Sequence, residues 1–225
     1  MSAFTAAADL GQVSDYSAVA VIERVATQQA GETAYHIRHL ERLPLGMPYT
    51  QQVERLSELM SRIEGAPLVV DRTGIGAAVI DMLRAAKLAP VPVTITAGSV
   101  VTRDEYGFKV PKRDLVAVTQ VLLENGRLKI AADLEHAQLL IDELLSFKVN
   151  ISASGRDTYG NDVGLWREAP NDDLVLAVAL ACWRAEQGKV KRPPVRSYSS
   201  QSLTGVFSDR LANTRYTFGR RSGGK

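Results

Sequence analysis

Cysteine is almost absent from this chain of 225 residues, whose single thiol is Cys182, inside an apolar helical pattern. One cysteine excludes an intrachain disulfide and a zinc site built from several cysteines. No stretch approaches the roughly 18 uninterrupted apolar residues that a membrane-spanning helix needs. The N-terminus lacks the basic and apolar segments of an export signal. These absences predict a protein of the reducing cytoplasm with no membrane contact.

A phosphate-binding loop of the form G-x-x-x-x-G-K-[ST] is also missing. The nearest segment, Gly74-Ile75-Gly76, has neither the lysine nor the spacing. We therefore expect no ATP hydrolysis by this chain.

Charge is present but unevenly distributed. The whole chain has 27 basic and 25 acidic residues. From Gln187 onward there are nine basic residues against Asp209, a net charge of +8, so the preceding 186 residues carry −6. The length predicts one folded domain, residues 1–188, followed by a basic, disordered tail at 189–225. Such a tail either contacts polyanions or is a solvated terminus that contacts nothing.

The first part of the chain has the pattern of an antiparallel meander. Three consecutive segments have strand-like composition and short connections: Phe4–Leu10, Ser17–Val25 and Tyr35–Leu43. Helical and strand-like segments then alternate: a helix at Pro48–Ile63, a strand at Ala66–Val70, a helix from Gly74 and a strand at Val91–Thr96. This order predicts an α/β fold with a mixed sheet covered by helices on both faces.

The second half is more varied. Residues 97–110 have an irregular, polar pattern, and Pro111 suits the start of a helix that ends near Glu124. A short strand at Leu128–Ile130 and a helix after Asp133 follow. Lys148–Trp166 alternates and contains turn residues, which predicts a β-hairpin. The last helix should run from near Asn171 to about Glu186.

Four acidic residues lie at the ends of two predicted strands and at the start of the last predicted helix. Asp9 closes the first strand, Asp71 closes the strand at Val69-Val70, and Asp172 and Asp173 open the last helix. The two strands would lie side by side if the meander joined the parallel part of the sheet through its first strand. Singly, each has an ordinary explanation as a turn or capping residue. Together they would repel one another unless a cation neutralised them. Two divalent cations there would activate a water and stabilise the leaving oxygen of a phosphodiester.

Several segments occur in an order that resembles a known family. They are Ala8-Asp9-Leu10-Gly11 with Asp15-Tyr16-Ser17-Ala18-Val19, Leu68-Val69-Val70-Asp71-Arg72-Thr73-Gly74-Ile75-Gly76, and Asn171-Asp172-Asp173-Leu174-Val175-Leu176-Ala177. The chain is similar, over roughly residues 5 to 186, to the nuclease domain of the large terminase subunit of tailed bacteriophages.

This resemblance implies a ribonuclease H-like fold, shared with Holliday-junction resolvases and integrases, and two-metal cleavage of concatemeric DNA during genome packaging. It places Asp9, Asp71 and Asp173 on the family's core acids, Asp172 on the adjoining acid and Asp15 on an accessory acid. The first four would be both catalytic residues and ligands of two Mg²⁺ or Mn²⁺ ions. The implied partners are double-stranded DNA, an ATPase motor domain, the portal and the small terminase subunit. We expect an excised or naturally separate nuclease domain.

Basic residues near these acids are candidates for contacts with the DNA backbone, which needs charge and no base recognition. They are Arg72, Arg103, Lys109, Lys112 and Arg113. Surface solubility is the alternative explanation for each of them.

Two other functions remain open. One is a junction-resolving, structure-specific nuclease of the same fold. The other is a non-catalytic DNA-binding module of the packaging motor, against which the retention of four mutually repelling acids argues.

Overall fold

A computed structural model of the chain describes residues 2–11, 15–28, 32–153 and 172–187. Within these ranges, eight strands form one mixed sheet in the order β6-β7-β5-β4-β1-β2-β3-β8. The strands are β1 Phe4–Asp9, β2 Ser17–Ala26, β3 Thr33–Leu43, β4 Leu68–Asp71, β5 Pro90–Thr96, β6 Thr102–Asp104, β7 Gly107–Pro111 and β8 Leu128–Lys129. The helices are α1 Tyr49–Ser61, α2 Gly76–Ala85, α3 Lys112–Glu124, α4 Ala137–Ala153 and α5 Asp173–Gln187.

The predicted meander is confirmed, and β1 joins it to the parallel part of the sheet. β1 pairs antiparallel with β2, and β2 pairs antiparallel with β3. On its other side β1 pairs parallel with β4, with Ala8 opposite Val70. The first strand of the chain is therefore near the centre of the sheet.

Small and branched residues let the central strands be buried on both faces. Ala6 and Ala8 of β1 pack with Val70 against the layer of α1 and α2, whereas Ala7 packs with Val69 in the core formed with α3, α4 and α5. Ala6, Ala7 and Ala8 are all fully buried. Because side chains alternate across a strand, the uninterrupted apolar runs seen in the sequence correspond to two cores that share one sheet.

The region at residues 97–110 is more ordered than its sequence suggests. β6 and β7 form an antiparallel pair with Thr102 opposite Lys109, and β7 pairs in parallel with β5. Gly107, with φ of +132°, sits so close to the carbonyl of Pro92 that a Cβ atom would collide with it. The prediction of an irregular segment was wrong because this contact with a distant strand leaves only a glycine as its local signature.

The predicted hairpin from Lys148 is wrong in its first part. α4 continues to Ala153, since Leu144, Phe147 and Ile151 recur at helical spacing. The rest of the predicted hairpin, residues 154–166, lies outside the described residues. The predicted domain boundary at residue 188 and the basic tail at 189–225 also lie outside them and stay predictions. Within the described residues, no helix is long and apolar enough to span a membrane.

Candidate active site

Asp9 and Asp71 end two adjacent parallel strands. The residues just before them, Ala8 and Val70, are partners in the sheet register, so both acids emerge at the same edge. Asp71 is 8% exposed, an unusual degree of burial for a carboxylate. The strand pairing inferred from the sequence is thus confirmed for these two residues.

Thr73 holds the carboxylate of Asp71 in place. The Thr73 backbone N–H and hydroxyl both donate to Oδ1 of Asp71, at 2.8 and 2.5 Å. The same hydroxyl oxygen accepts the backbone N–H of Ile95 on β5 at 2.9 Å. Thr73 therefore ties the acid to the neighbouring strand and fixes which oxygen remains available to a ligand.

Asp172 and Asp173 reach this edge from the start of α5, which packs against β1 and β2. Nζ of Lys112, at the start of α3, lies 3.2 Å from Oδ2 of Asp172. Nη2 of Arg42, near the end of β3, lies 3.4 Å from Oδ2 of Asp173. Both acidic side chains are less than one fifth exposed. Each of the adjacent acids therefore has its own basic partner.

The four acids act on one another electrostatically. Burial raises the pKa of Asp9 well above its usual range, and the charges of Asp71, Asp173 and Asp172 raise it further, against a lowering effect of Lys112. Burial also raises the pKa of Asp71, although the two hydrogen bonds from Thr73 and the charge of Lys112 lower it. The structure therefore brings Asp71, Asp172 and Asp173 close enough to Asp9 for their charges to affect its pKa.

The Asp173 carboxyl has a raised pKa of about 6. Burial is the main cause; the Arg42 guanidinium opposes it, and the charges of Asp172 and Asp15 add to it. Asp15, the predicted accessory acid, is exposed and precedes β2. It therefore lies near enough to influence Asp173 without being buried beside it.

Two residues of this site had no recognisable sequence signal. Arg42 stacks with its guanidinium carbon 3.7 Å from the Tyr16 ring centroid while it contacts Asp173. The sheet register could have located it, because Ala18 lies opposite both Asp9 on one side and Arg42 on the other. The second residue is Glu143, in the middle of α4.

Glu143 is a buried carboxylate, only 5% exposed. Its Oε2 atom accepts the backbone N–H groups of Leu174 and Val175 at 3.0 and 3.1 Å. Oε1 has no hydrogen-bond partner within the part of the chain that is described. Burial raises the pKa of Glu143 to about 7; the backbone N–H groups and Arg42 lower it, and the charge of Asp173 raises it.

The predicted DNA-binding residues separate into two groups. Lys112 belongs to the acidic site itself, whereas Arg72, Arg103, Lys109 and Arg113 are on the side of β5, β6 and β7. Arg72 lies over the Tyr106 ring, with its guanidinium carbon 5.1 Å from the centroid, and Arg103 lies 4.9 Å from that of Phe108. Lys109 pairs with Asp104 at 2.9 Å. Arg113 donates to the carbonyl of Ser99 and pairs with Asp114.

The donor set suits a hard divalent cation, because every candidate ligand atom is a carboxylate oxygen. Four acids against Lys112 and Arg42 also leave an excess of negative charge when all are ionised. In this conformation, no three acidic, histidine or cysteine side chains among the described residues converge closely enough to hold a metal ion jointly. The chemistry of the site therefore fits a cation, and the side chains would have to close around it.

Comparison with known proteins finds sequences and solved structures that are similar to this chain. No family model matches the chain. The large terminase subunit of Thermus phage G20c is 28% identical over 177 residues, which cover 77% of this chain. The large terminase nuclease of phage G20c, solved with bound magnesium, superposes with a TM-score of 0.56 at 26% identity, over 80% of each chain. The resemblance to large-terminase nucleases is confirmed.

The mixed sheet with flanking helices is ribonuclease H-like, as the resemblance implies. A large terminase fragment of bacteriophage Sf6, solved with calcium, shares the fold with a TM-score of 0.50 at 14% identity. The same G20c nuclease has also been solved with zinc and with cobalt. The chain spans about 30% of the length of the curated terminase subunits that it matches.

Proposed function

We propose that this domain is a metal-dependent endonuclease that hydrolyses phosphodiester bonds of double-stranded DNA. The observation that carries the proposal is the pairing of Asp9 and Asp71 at one sheet edge, in the same electrostatic field as Asp172 and Asp173. A site that buries mutually repelling acids costs stability, which is typical of function and not of scaffold. The related terminase nucleases, solved with magnesium, zinc or cobalt, support the same chemistry.

Asp9, Asp71 and Asp173, with Asp172 beside them, would hold two Mg²⁺ or Mn²⁺ ions. When bound, such ions activate a water and stabilise the leaving oxygen during in-line attack. The remaining residues prepare the site. Thr73 orients Asp71, while Arg42 and Lys112 offset part of the negative charge before cations arrive.

DNA would reach this site along the β5–β7 side of the sheet. Arg72, Arg103, Lys109 and Arg113 would contact backbone phosphates there, with Lys112 nearest the acids and little dependence on sequence. In the cell, we propose that the domain cuts concatemeric viral DNA in the host cytoplasm, alongside an ATPase motor domain, the portal and the small terminase subunit.

An agarose-gel assay of plasmid DNA tests the proposal. The purified protein should convert supercoiled plasmid to nicked, linear and shorter forms with Mg²⁺ or Mn²⁺, and EDTA should stop the reaction. Cleavage that EDTA leaves unchanged would refute the two-metal mechanism. Absence of cleavage with tight DNA binding would favour the non-catalytic module. A branched junction cut far faster than linear duplex would favour the junction-resolving nuclease.

A further inference from the structure

The first turn of α5 is held by a side chain from another helix. The early N–H groups of a helix have no acceptor within that helix. Glu143 of α4 supplies one carboxylate oxygen to two of them, at Leu174 and Val175. These amides immediately follow Asp173, so Glu143 fixes the backbone from which the acid projects.

Because Glu143 accepts the hydrogen bonds of these amides, the side chains of Asp172 and Asp173 are directed toward other residues. An aspartate at a helix start commonly caps its own helix. Here Asp172 contacts Lys112 and Asp173 contacts Arg42, while the cap comes from Glu143. Both acidic side chains therefore contact basic residues, and their charges raise the pKa of Asp9.

Burying a third carboxylate beside this pair is costly. Glu143 is 5% exposed, and its negative charge is repelled by that of Asp173. A neutral capping residue would avoid that repulsion. Because Oε2 accepts two backbone hydrogen bonds from one turn, the contact is specific in direction as well as favourable in charge at the positive end of the helix.

We propose that Glu143 is a positioning residue of this site: by bridging the amides of Leu174 and Val175, it sets the direction in which Asp173 meets a divalent cation. This inference rests on the proposed function, because it assigns Asp173 to a metal. Glu143 touches neither metal nor DNA in this role. It acts through the start of α5.

The experiment compares Glu143→Ala with Glu143→Gln, and uses Glu186→Gln at the opposite end of α5 as the matched control. Gln retains an acceptor oxygen for the two amides, and Ala does not. Calorimetric titration with Mn²⁺ should show an affinity loss of about 10-fold or more for Glu143→Ala, as for other residues that orient metal ligands. Glu143→Gln and Glu186→Gln should stay within about threefold of the unmodified protein, far less than that orienting effect.

Hydrogen–deuterium exchange supplies a second measurement that needs no activity. The amides of Leu174 and Val175 should exchange faster in Glu143→Ala and at the original rate in Glu143→Gln, because the hydrogen bonds protect them. Unchanged exchange and metal affinity in Glu143→Ala would overturn the proposal. So would a Glu143→Gln variant as defective as Glu143→Ala, which would mean that the negative charge binds the metal directly.

The control decides between positioning and general stability. If Glu186→Gln lost metal affinity to the same extent, weakening of α5 as a whole would explain the result and the proposal would fail. If the unmodified protein did not cleave DNA with any metal, the proposed function would fail, whereas the exchange rates and Mn²⁺ affinities of the Glu143 variants would still give their own answer.

Discussion

The two ends of α5 treat buried charge in opposite ways. At the C-terminal end, Glu186 accepts hydrogen bonds from the Tyr35 hydroxyl at 2.5 Å and from Arg127 at 2.7 Å, and Arg24 donates to the carbonyl of Ala185 at 2.6 Å. At the N-terminal end, the carboxylates of Asp172 and Asp173 lie in the same site as those of Asp9 and Asp71, and these like charges repel one another. The C-terminal end pairs its carboxylate with hydrogen-bond donors, whereas the N-terminal end brings several carboxylates together.

The helix dipole explains only part of this difference. It favours acids at the first turn of a helix and cations at the last turn, which fits Asp173 and Arg184 but not Glu186. It does not account for Asp9 and Asp71, which come from β-strands and add their charges to the same place. The excess of negative charge at the N-terminal end of α5 is therefore a property of the site and not of the helix.

The largest expected effect comes from removing one of the strand acids. Asp9→Ala and Asp71→Ala should each abolish cleavage, because each removes a metal ligand. Both should melt at the same or a higher temperature in EDTA, since repulsion is relieved. Plasmid assays and thermal melting measure the two outcomes. Near-normal cleavage by either variant would contradict the assignment of Asp9 and Asp71 to the catalytic site.

Glu186→Ala provides the opposite control. It leaves Tyr35 and Arg127 without their shared carboxylate, which should lower the free energy of unfolding by about 2 kcal/mol. Cleavage measured below the melting temperature should change little. A variant that melted normally but no longer cut DNA would erase the contrast between the two ends.

The second effect is a dependence of stability on pH in metal-free protein. In the folded protein the pKa of Asp173 is about 6 and that of Glu143 about 7, both above the values of about 4 expected in the unfolded chain. Between these values the folded state binds more protons, so stability falls as pH rises. The melting temperature in EDTA should therefore decrease from pH 5 to pH 8, and Asp173→Asn should flatten the decrease. A melting temperature that rose over this range would contradict the electrostatics described here.

The smallest effect separates the adjacent acids. Neighbouring helical residues point roughly 100° apart, so Asp172 and Asp173 cannot present equivalent oxygens to one cation. We expect Asp173→Asn to remove activity with every metal. Asp172→Asn should retain some, more visibly with Mn²⁺, which tolerates imperfect ligation better than Mg²⁺. Cleavage rates in the reverse order would mean that the two ligand roles are exchanged.

Local patterns predicted the strand acids, because an apolar run that ends in aspartate marks a carboxylate at the edge of a core. Asp9 and Asp71 could be placed side by side once the order of strands was inferred. Glu143 could not be found in this way. Its partners are 31 and 32 residues away, and a glutamate within a helix normally faces solvent.

The same limit explains the errors in the second half of the chain. β6 and β7 are short, and their strand character depends on pairing with β5. The alternation from Lys148 suggested a strand, but α4 continues to Ala153. Both errors arise where a local pattern competes with contacts that are distant in sequence.

The direction of β1 has a practical consequence for work with this domain. The strand enters the sheet at Phe4 and delivers Asp9 at its far end. Anything joined ahead of Phe4, such as an affinity tag, a fluorophore or a fused protein, is attached roughly 17 Å from Asp9 along the strand, at 3.3 Å per residue. The N-terminal side is thus the suitable point for immobilising the domain on a surface, since it leaves the acidic edge facing the solution.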